Sequence, residues 1–508
     1  MIDWLQYIFG YSTDPAHAFF FNRYDFWLFF AAMYAIFTLV YKKTRLRNIY
    51  LTLFSLFFYY KSGGLYFLLL IFSTLVDYNI GRWIFDSDNE KKRKWLVAAS
   101  VVINLSVLAY FKYAGFFVES INDVFGTHFM AIDIFAQMAN GLSGSHFNVE
   151  SIFLPIGISF YTFQTISYSI DVYRRQVKPV NDIFDFAFYV SFFPQLVAGP
   201  IVRASTFVPQ IYKQYKVSRK DLSHAMVLIM GGMIKKILIA DYLGANFVGT
   251  VFDDPTKYTG FQNLTAIYGF ALQIYGDFSG YSDIAIGIGL LLGFRLPLNF
   301  NSPYKAINIR DFWQRWHISL SSWLRDYLYI PLGGNRHGKW NTYKNLLLTM
   351  LLGGLWHGAA WRFVIWGSLH GAGLSVHRYL SELFPSKNKI QSFWKKLLYG
   401  LVTFHFVCLA WIFFAAESLD KAMIMIRQIT SNFYWSLVPD VISNYRNVFL
   451  VLIVGFLLHF MPRTWKDKGE EIFGQLPIPA QALTLSLVAF GLFQVMSAQV
   501  QPFIYFQF

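Results

Sequence analysis

The chain has few charged residues and almost no cysteine. Only 14% of its 508 residues are charged, and Cys408 is the single cysteine. One cysteine excludes an intrachain disulfide and a cysteine-ligated metal site. Its apolar neighbours in LVTFHFVCLAWIFF favour a buried thiol over a covalent thioester nucleophile. The sequence also contains no HExxH or paired-cysteine spacing, so no metal centre is expected.

Hydrophobic residues make up 55% of the chain and aromatic residues 20%, which is far from ordinary globular usage. This composition predicts an all-α polytopic membrane protein embedded in a lipid bilayer. The net charge of +14 could indicate nucleic-acid binding. However, the basic residues cluster in short loops between apolar runs, as expected for cytoplasmic loops, so no nucleic-acid partner is predicted.

Alternation of basic loops and apolar runs predicts about 12 membrane spans and one re-entrant piece. The first span, Phe26 to Val40, has no basic segment or cleavage site before it and is interpreted as an uncleaved anchor. Asn48 to Phe85 is expected to form a hairpin, and the stretch from Phe117 to Glu150 is expected outside without a clear span. The predicted cytoplasmic segments are 42–47, 90–94, 174–178, 213–220, 305–344 and 463–468.

Two segments do not fit a simple apolar span. Phe192 to Ile201 contains two prolines and a glycine, which predicts a broken or re-entrant helix covered by protein or by a water-filled cavity. The run from Leu222 to Phe252 contains Lys235 and Lys236, and we expect both ammonium groups to snorkel or to lie near the membrane surface.

Carboxylates at membrane depth need partners. Asp277 and Asp283 flank glycines and hydroxyls in GDFSGYSD. We expect them to form ion pairs with an arginine or a histidine; a catalytic role is the alternative. Four polar residues also recur at helical spacing in the span from 152 to 173 and predict a face turned towards protein or a cavity: Gln164, Ser167, Tyr168 and Asp171.

A helical wheel of residues 311–330 gathers the apolar side chains on one face and the arginines on the other. This pattern predicts one tryptophan-rich amphipathic helix lying in the membrane interface. His317 falls within the apolar stripe, where it is either a packed structural histidine or a functional one. The apolar face comprises Phe312, Trp313, Trp316, Leu320, Trp323, Leu324, Tyr327 and Leu328.

His357 lies in LLTMLLGGLWHGAAW, where its neighbours are apolar or small. An ionisable residue inside a membrane span is costly and usually marks a pathway or a reaction centre. Gly353, Gly354 and Gly358 either let a substrate or backbone approach the imidazole or serve helix packing.

Several long motifs resemble the membrane-bound O-acyltransferase family, in particular its bacterial alginate O-acetylation branch. The resemblance runs from about residue 45 to the C-terminus. It implies a helical bundle with re-entrant and interfacial helices around a central tunnel, in a single domain over residues 1–508 with core motifs at about 150–375. The motifs are RDFWQRWHISLSSWLRDYLYIPLGGNR, LLGGLWHGAAW, LPIGISFYTFQTISYSIDVYR, FFPQLVAGPIVR, YGDFSGYSDIAIGIGLLLGF and PFIYFQF.

The same resemblance implies that His357 is the catalytic residue and His317 the second histidine of the site. Acyl transfer to a hydroxyl needs a base, and apolar surroundings favour the neutral imidazole that accepts a proton. His317 and Arg315 could position an acyl donor or stabilise charge. The substrate-binding residues expected are Arg315, Trp316, Asn335, Trp356 and Asp283.

The resemblance further implies transfer of an acyl group, such as acetyl from acetyl-CoA or a similar cytoplasmic thioester, with no bound cofactor. The acceptor is expected to be an extracytoplasmic hydroxyl of an exopolysaccharide or peptidoglycan, with a separate periplasmic SGNH-type acetyltransferase as the expected partner. The expected location is the bacterial cytoplasmic (inner) membrane. The alternative is a transporter or lipid/glycan flippase in which His357, Asp277 and Asp283 relay protons.

Overall fold

A computed structural model describes residues 10, 19–143, 148–150, 152–384 and 392–495. All regular secondary structure within these ranges is helical, which confirms the all-α prediction. The C-terminal motif PFIYFQF lies outside the described residues, as does most of the stretch before residue 19.

The described residues of the first half of the chain form ten α-helices, which we number in chain order. They are α1 (Tyr24–Val40), α2 (Thr44–Gly63), α3 (Phe67–Asp86), α4 (Glu90–Phe125), α5 (Ile134–Ser143), α6 (Ile158–Tyr173), α7 (Ile183–Ser191), α8 (Phe193–Leu196), α9 (Ala204–Ile211) and α10 (Arg219–Met233). A 3₁₀ turn, Gly64–Tyr66, joins α2 to α3, and α10 continues into the π-helical segments Ile234–Asp241 and Gly244–Val248.

The second half carries the long central helix and the histidine motifs. Its helices are α11 (Gly249–Asp253), α12 (Gly260–Leu291), α13 (Ile309–Arg315), α14 (Ile318–Leu324), α15 (Gly338–His357), α16 (Trp361–Leu383), α17 (Phe393–Ala415), α18 (Leu419–Ser431), α19 (Val438–Asn444), α20 (Arg446–Phe460), α21 (Arg463–Gln475) and α22 (Ile478–Val495). The π-helical segment Arg325–Tyr329 follows α14, and short 3₁₀ turns span Pro255–Lys257, Pro303–Lys305 and Trp435–Leu437.

Helix α12 lies at the centre of the bundle and is buried along nearly its whole length. It packs closely against α10 because Gly232 and Gly280 face each other. A Cβ atom on either glycine would overlap the carbonyl oxygen of the other. Small residues at this crossing therefore bring the two backbones into contact, as at many helix crossings inside membranes.

Five helical stretches in the described ranges are long and apolar enough to cross a membrane, or six if the bent pair α19–α20 forms one span. The sequence predicted about 12 spans. Several of the predicted spans, including α6, α12, α15 and α16, are shorter or more polar than that criterion allows. Helices α6 and α12 are surrounded by protein instead of lipid, and this explains why they carry many hydroxyl, amide and glycine residues. The five stretches are Thr44–Asp86, Glu90–Phe125, Arg219–Asp253, Phe393–Ala415 and Ile478–Val495.

The predicted broken segment from Phe192 to Ile201 is confirmed. Only the four residues of α8 are helical, and the segment is buried along its whole length. The amide group of Gln195 donates to the carbonyl oxygen of Tyr189, and the backbone N–H of Ile201 donates to Ser319 Oγ. Protein groups therefore satisfy part of the non-helical backbone, as membrane depth requires.

The polar face predicted on the span from 152 to 173 is also confirmed, because Gln164, Ser167, Tyr168 and Asp171 are all buried in α6. The described part of the stretch after Phe117 holds no further candidate span, as predicted, but it is partly helical. Helix α4 continues to Phe125, and α5 follows it.

The prediction that Lys235 and Lys236 both snorkel or lie near the membrane surface is wrong for Lys236. Lys236 is buried and forms ion pairs with Asp277 and with Asp241, the latter at 2.7 Å, while Lys235 pairs with Asp283. The ion pairs predicted for the two carboxylates of GDFSGYSD are confirmed, but their partners are lysines and not an arginine or a histidine. Carboxylates at membrane depth draw the ammonium groups inward because each lowers the cost of burying the other.

We expect Asp277→Ala to lower the amount of folded protein more than the specific activity of what remains. The change leaves a buried ammonium with one carboxylate fewer, which costs on the order of 3 to 5 kcal/mol. Membrane abundance and activity per molecule are measured together. Asp254→Ala, which breaks the exposed pair with Lys257 at 3.0 Å, is the control and should change neither. Normal abundance of Asp277→Ala without activity would instead assign Asp277 a catalytic role.

Residues 311–330 do not form the single interfacial helix that the sequence predicted. The helix is broken between α13 and α14, and Trp316 and His317 at the break are fully buried. The Trp316 ring packs against Phe300 and Trp411, with centroids 5.1 and 5.0 Å away, and not against lipid headgroups. Neighbouring helices thus cover the aromatic face assigned to the membrane interface.

Candidate functional site: two buried histidines around Trp356

The helix break places His317 in a left-handed backbone conformation, with φ 42° and ψ 56°. Residues other than glycine rarely adopt it, and such strain often lies at functional sites. The segment containing Asn299 and Asn301 stabilises the break. The backbone N–H of Ile318 donates to the Asn299 carbonyl oxygen at 2.9 Å, and Asn301 N–H donates to the Arg315 carbonyl oxygen at 2.9 Å. These two bonds replace helical hydrogen bonds at the break.

Hydrogen bonding fixes the tautomer of His317. Asn299 Oδ1 accepts from the backbone N–H of Ser319 at 3.2 Å and from Ser319 Oγ at 2.9 Å, so it is an acceptor. It lies 3.2 Å from His317 Nδ1, and Nδ1 must therefore carry the proton. In the neutral ring, Nε2 then holds a lone pair. This atom is buried and has no hydrogen-bond partner among the described residues.

His357 is the last residue of α15, and aromatic rings enclose its side chain. The centroids of Trp356 and Trp366 lie 5.0 Å from the imidazole, and that of Phe414 lies 5.4 Å away. Only 3% of the residue is exposed. The His357 ring therefore lies in a largely apolar environment, as the sequence predicted.

Two side chains of α4 hold the end of α15. Lys112 Nζ donates to the carbonyl oxygens of Trp356 at 2.6 Å and His357 at 3.1 Å, and the Tyr113 hydroxyl donates to the Leu355 carbonyl at 2.8 Å. The last carbonyls of a helix have no partners within it, and a cation there also interacts favourably with the helix dipole. This clamp fixes the backbone from which the His357 side chain projects.

Trp356 lies between the two histidines. Its ring centroid is 6.0 Å from that of His317 and 5.0 Å from that of His357. Three of the predicted site residues, His317, Trp356 and His357, are therefore brought together. Trp316 is adjacent in sequence to His317, but its ring packs on the side of Trp411.

The other predicted site residues lie elsewhere. Arg315 forms an ion pair with Asp311 at 2.7 Å, and Asp283 is paired with Lys235. Asn335 accepts from the Tyr329 hydroxyl at 2.6 Å and lines a surface cavity. Arg315 and Asp283 thus have structural partners, whereas Asn335 lines a cavity next to the helices that carry the two histidines.

That cavity has a volume of about 800 Å³ and lies between α13, α14, α15 and α16. It is lined by several cationic side chains, and its inner wall includes Trp313 and Met350. Trp313 is four residues before His317, and Met350 is seven residues before His357 on α15. The cavity thus reaches the helices that carry both histidines. Its polar and charged lining includes Arg310, Gln314, Arg325, Asn335, His377 and Arg378.

Sequence reasoning missed three residues of the site: Asn299, Lys112 and His370. His370 on α16 is fully buried, and its ring lies 4.8 Å from that of Trp366. Lys112 is a lone cation in the predicted apolar span from Trp95 to Phe117, a signal that could have revealed it. His370 likewise lies inside a predicted span. No local pattern distinguishes Asn299.

The glycines around His357 serve helix packing. A Cβ atom at Gly354 would overlap the carbonyl oxygen of Phe363, and one at Gly358 would overlap the Phe363 ring. A Cβ atom at Gly353 would lie 3.1 Å from Leu324. Of the two interpretations that the sequence left open, the structure therefore supports close contact between helices.

The arrangement can exchange a proton with a substrate in surroundings that exclude water. Neutral imidazoles at such a site are suited to general base catalysis, because the ring nitrogen can accept a proton near neutral pH. A proton relay through His357, Asp277 and Asp283 is less well supported, since lysines pair with both carboxylates.

The sequence is similar to those of known acyltransferases. Residues 170–418 match the family model of the membrane-bound O-acyltransferases. The chain is 39% identical over 404 residues to a peptidoglycan O-acetyltransferase of Helicobacter pylori, covering 74% of this chain and 72% of that protein. It is 37% identical to a probable alginate O-acetylase of Pseudomonas putida, covering 91% and 95% of the two chains.

A more distant relative is a teichoic acid D-alanyltransferase of Bacillus subtilis, 29% identical over 277 residues, which are 52% of this chain and 69% of that one. All three relatives are named for acyl transfer, and this favours an enzyme over the transporter alternative. The chain is a multi-pass membrane acyltransferase and belongs to the membrane-bound O-acyltransferase family.

Proposed function

We propose that this enzyme transfers an acetyl group from a cytoplasmic thioester, such as acetyl-CoA, to an extracytoplasmic hydroxyl, from which a partner protein passes it to an envelope glycan. The observation that carries the proposal is the enclosed group of His317, Trp356 and His357, with the Nε2 lone pair of His317 directed by Asn299. The names of the relatives, which act on peptidoglycan, alginate and teichoic acid, support a glycan as acceptor.

The cationic cavity supports a phosphate-bearing donor. Arg310, Arg325 and Arg378 contribute three guanidinium groups to its lining. Arg378 pairs with Glu382 at 3.1 Å and Arg325 with Asp326 at 2.6 Å, and the net charge of these five groups remains positive. Guanidinium groups bind phosphate oxygens in a bidentate geometry, and acetyl-CoA carries several phosphates. In this proposal Asn335 contacts the donor, while Arg315 and Asp283 support the surrounding structure.

The proposed reaction uses His357 as base. The acceptor hydroxyl attacks the thioester carbonyl, His357 takes the hydroxyl proton, and the new C–O bond forms. The C–S bond then breaks and the proton passes from His357 to the departing thiolate. His317 Nε2, which is a hydrogen-bond acceptor, holds an amide N–H of the donor's pantetheine arm. The enzyme thus needs no metal and no bound cofactor.

The proposal places the whole chain as one domain in the bacterial cytoplasmic membrane, with the donor cavity on the cytoplasmic side. The acetyl group then crosses the bilayer through the bundle. A periplasmic SGNH-type acetyltransferase is proposed as the partner that passes acetyl to the final glycan. The donor is tested with purified protein in sealed vesicles. Labelled acetyl-CoA should deliver its label only when it is added on the side of the membrane where the cavity opens. Delivery of label from both sides would contradict the proposal.

The topology is tested by single cysteines introduced into a Cys408→Ala parent, using a reagent that does not cross membranes. Lys92→Cys and Arg336→Cys should stay unlabelled in sealed cells, because their positive neighbours face the cytoplasm. Asp123→Cys, at the exposed end of α4, should be labelled and provides the control. Labelling of Lys92→Cys from outside would reverse the proposed orientation.

A further inference from the structure

Two buried hydrogen-bond donors lie beside the His357 ring. The indole N–H groups of Trp356 and Trp366 are buried and have no acceptor among the described protein residues. Both rings lie 5.0 Å from the His357 ring, centroid to centroid. Buried donors are normally paired, so two unpaired donors beside one catalytic group need an explanation.

His370 adds a third donor. Trp313 Nε1 donates to His370 Nδ1 at 3.3 Å, so Nδ1 acts as an acceptor. A neutral imidazole then carries its proton on Nε2. This Nε2 is buried and also has no partner within the described ranges. His370 and His317 therefore have opposite tautomers: His317 offers a buried lone pair, and His370 offers a buried N–H.

Trp366 and His370 lie on one face of α16. They are four residues apart, which places them on adjacent turns, and their ring centroids are 4.8 Å apart. Trp366 also contacts the His357 ring, so the pair adjoins the proposed base. Buried N–H donors next to a base can stabilise the negative charge that develops on an oxygen atom during acyl transfer.

We propose that Trp366 Nε1–H and His370 Nε2–H bind the oxyanion that forms on the thioester carbonyl when the hydroxyl attacks. This inference rests on the proposed acyl transfer. As the C–O bond forms, the carbonyl electron pair moves to oxygen, and the two N–H groups donate hydrogen bonds to it without losing their protons. When the C–S bond breaks, the pair returns and the carbonyl of the product ester leaves the site.

A neutral histidine suits this role. A neutral imidazole can polarise a carbonyl as an electrophile, whereas an imidazolium would require burial of a charge. Trp313 donates to Nδ1, which favours the neutral tautomer with its proton on Nε2. Trp313 acts only through His370 and is thus a positioning residue.

The test compares four variants of the full-length enzyme in vesicles, with labelled acetyl-CoA as donor. Trp366→Phe keeps an aromatic ring but removes the N–H, and His370→Leu removes the second donor. We expect each to lower kcat about 100-fold, the usual effect of losing one oxyanion donor, with little change in the KM for acetyl-CoA. His370→Gln retains a side-chain N–H and should recover at least a tenth of the kcat.

Trp411→Phe is the matched control. Trp411 is equally buried and its indole N–H also lacks a partner among the described residues, but its ring packs against Trp366 at 5.9 Å instead of against His357. Its kcat should stay within about threefold of wild type. Equal losses in Trp411→Phe and Trp366→Phe would indicate general packing damage and overturn the assignment.

The experiment distinguishes failure of the oxyanion role from failure of the proposed function. If His357→Gln is inactive while Trp366→Phe and His370→Leu keep full kcat, the oxyanion role is wrong and the base assignment stands. If His357→Gln retains activity but both donor variants lose kcat, the oxyanion role stands without that base. If Trp366→Phe does not accumulate, the comparison of His370→Leu with His370→Gln tests the proposal instead. Equal kcat values in these two variants would overturn the role of His370.

Discussion

His357→Gln is expected to reduce acetyl transfer by about 100- to 10,000-fold, the usual contribution of a general base. Glutamine approximates the size and hydrogen bonding of histidine but cannot accept a proton at neutral pH. The protein should still accumulate, because the Lys112 and Tyr113 contacts that hold this helix end are made to backbone carbonyls. Initial rates with labelled acetyl-CoA, divided by the amount of protein in the vesicles, measure the effect.

A suitable control is His405→Gln on α17. This histidine is exposed, and its Nε2 lies 2.9 Å from the Tyr268 hydroxyl, away from the site. Its rate should equal that of the wild type. If His357→Gln keeps more than about a tenth of the wild-type rate, the loss is smaller than a general base supplies. The base assignment is then wrong, and His317, whose Nε2 lone pair has no partner among the described residues, becomes the better candidate.

His317→Ala is expected to reduce kcat/KM about 10- to 100-fold, since a buried donor group on the substrate would lose its acceptor. The KM for acetyl-CoA should rise more than kcat falls, because the proposed contact holds the donor before and during the reaction. Steady-state kinetics over a range of acetyl-CoA concentrations separate the two parameters.

Asn299→Leu is a second test of the proposed contact between His317 Nε2 and the donor. It removes the acceptor that fixes the proton on His317 Nδ1, so Nε2 can then carry the proton and lose its lone pair. The expected loss is similar to that of His317→Ala, and the double variant should lose little more than either single variant. Fully additive losses would mean that Asn299 does not act through His317.

The sequence predicted the broken segment from Phe192 to Ile201, because the backbone preferences of proline and glycine are properties of the residues themselves and need no distant contact. The break at Trp316 and His317 could not be predicted in this way. Neither residue interrupts a helix by itself, and the hydrogen bonds that stabilise the break come from Asn299 and Asn301, which lie about 16 residues earlier. An amphipathic pattern also cannot distinguish a face covered by lipid from one covered by other helices.

The partners of the predicted ion pairs also depend on contacts that the sequence does not show. Charge and burial indicated that Asp277 and Asp283 need partners, and the structure supplies them. The sequence could not identify Lys235 and Lys236 as those partners, because the pairing depends on how α12 packs against the π-helical segment after α10.

The sequence predicted the two histidines of the candidate site, but it could not predict which ring nitrogen of each carries the proton. Motif resemblance located His317 and His357, and isolation in apolar sequence indicated His357 independently. Whether a histidine donates or accepts is decided by one neighbouring atom, which for His317 is Asn299 Oδ1 and for His370 is Trp313 Nε1. Such second partners are visible only in three dimensions.

The most direct test of the central claim is the fate of labelled acetyl in cells that carry either the wild-type protein or His357→Gln at equal abundance. Ester-linked label is expected on an envelope glycan with the wild type, and label reduced to background is expected with the variant. Membrane transport of protons and lipids should be the same in both. Equal labelling of the glycan in the two strains, or a transport defect without any change in labelling, would contradict the central claim.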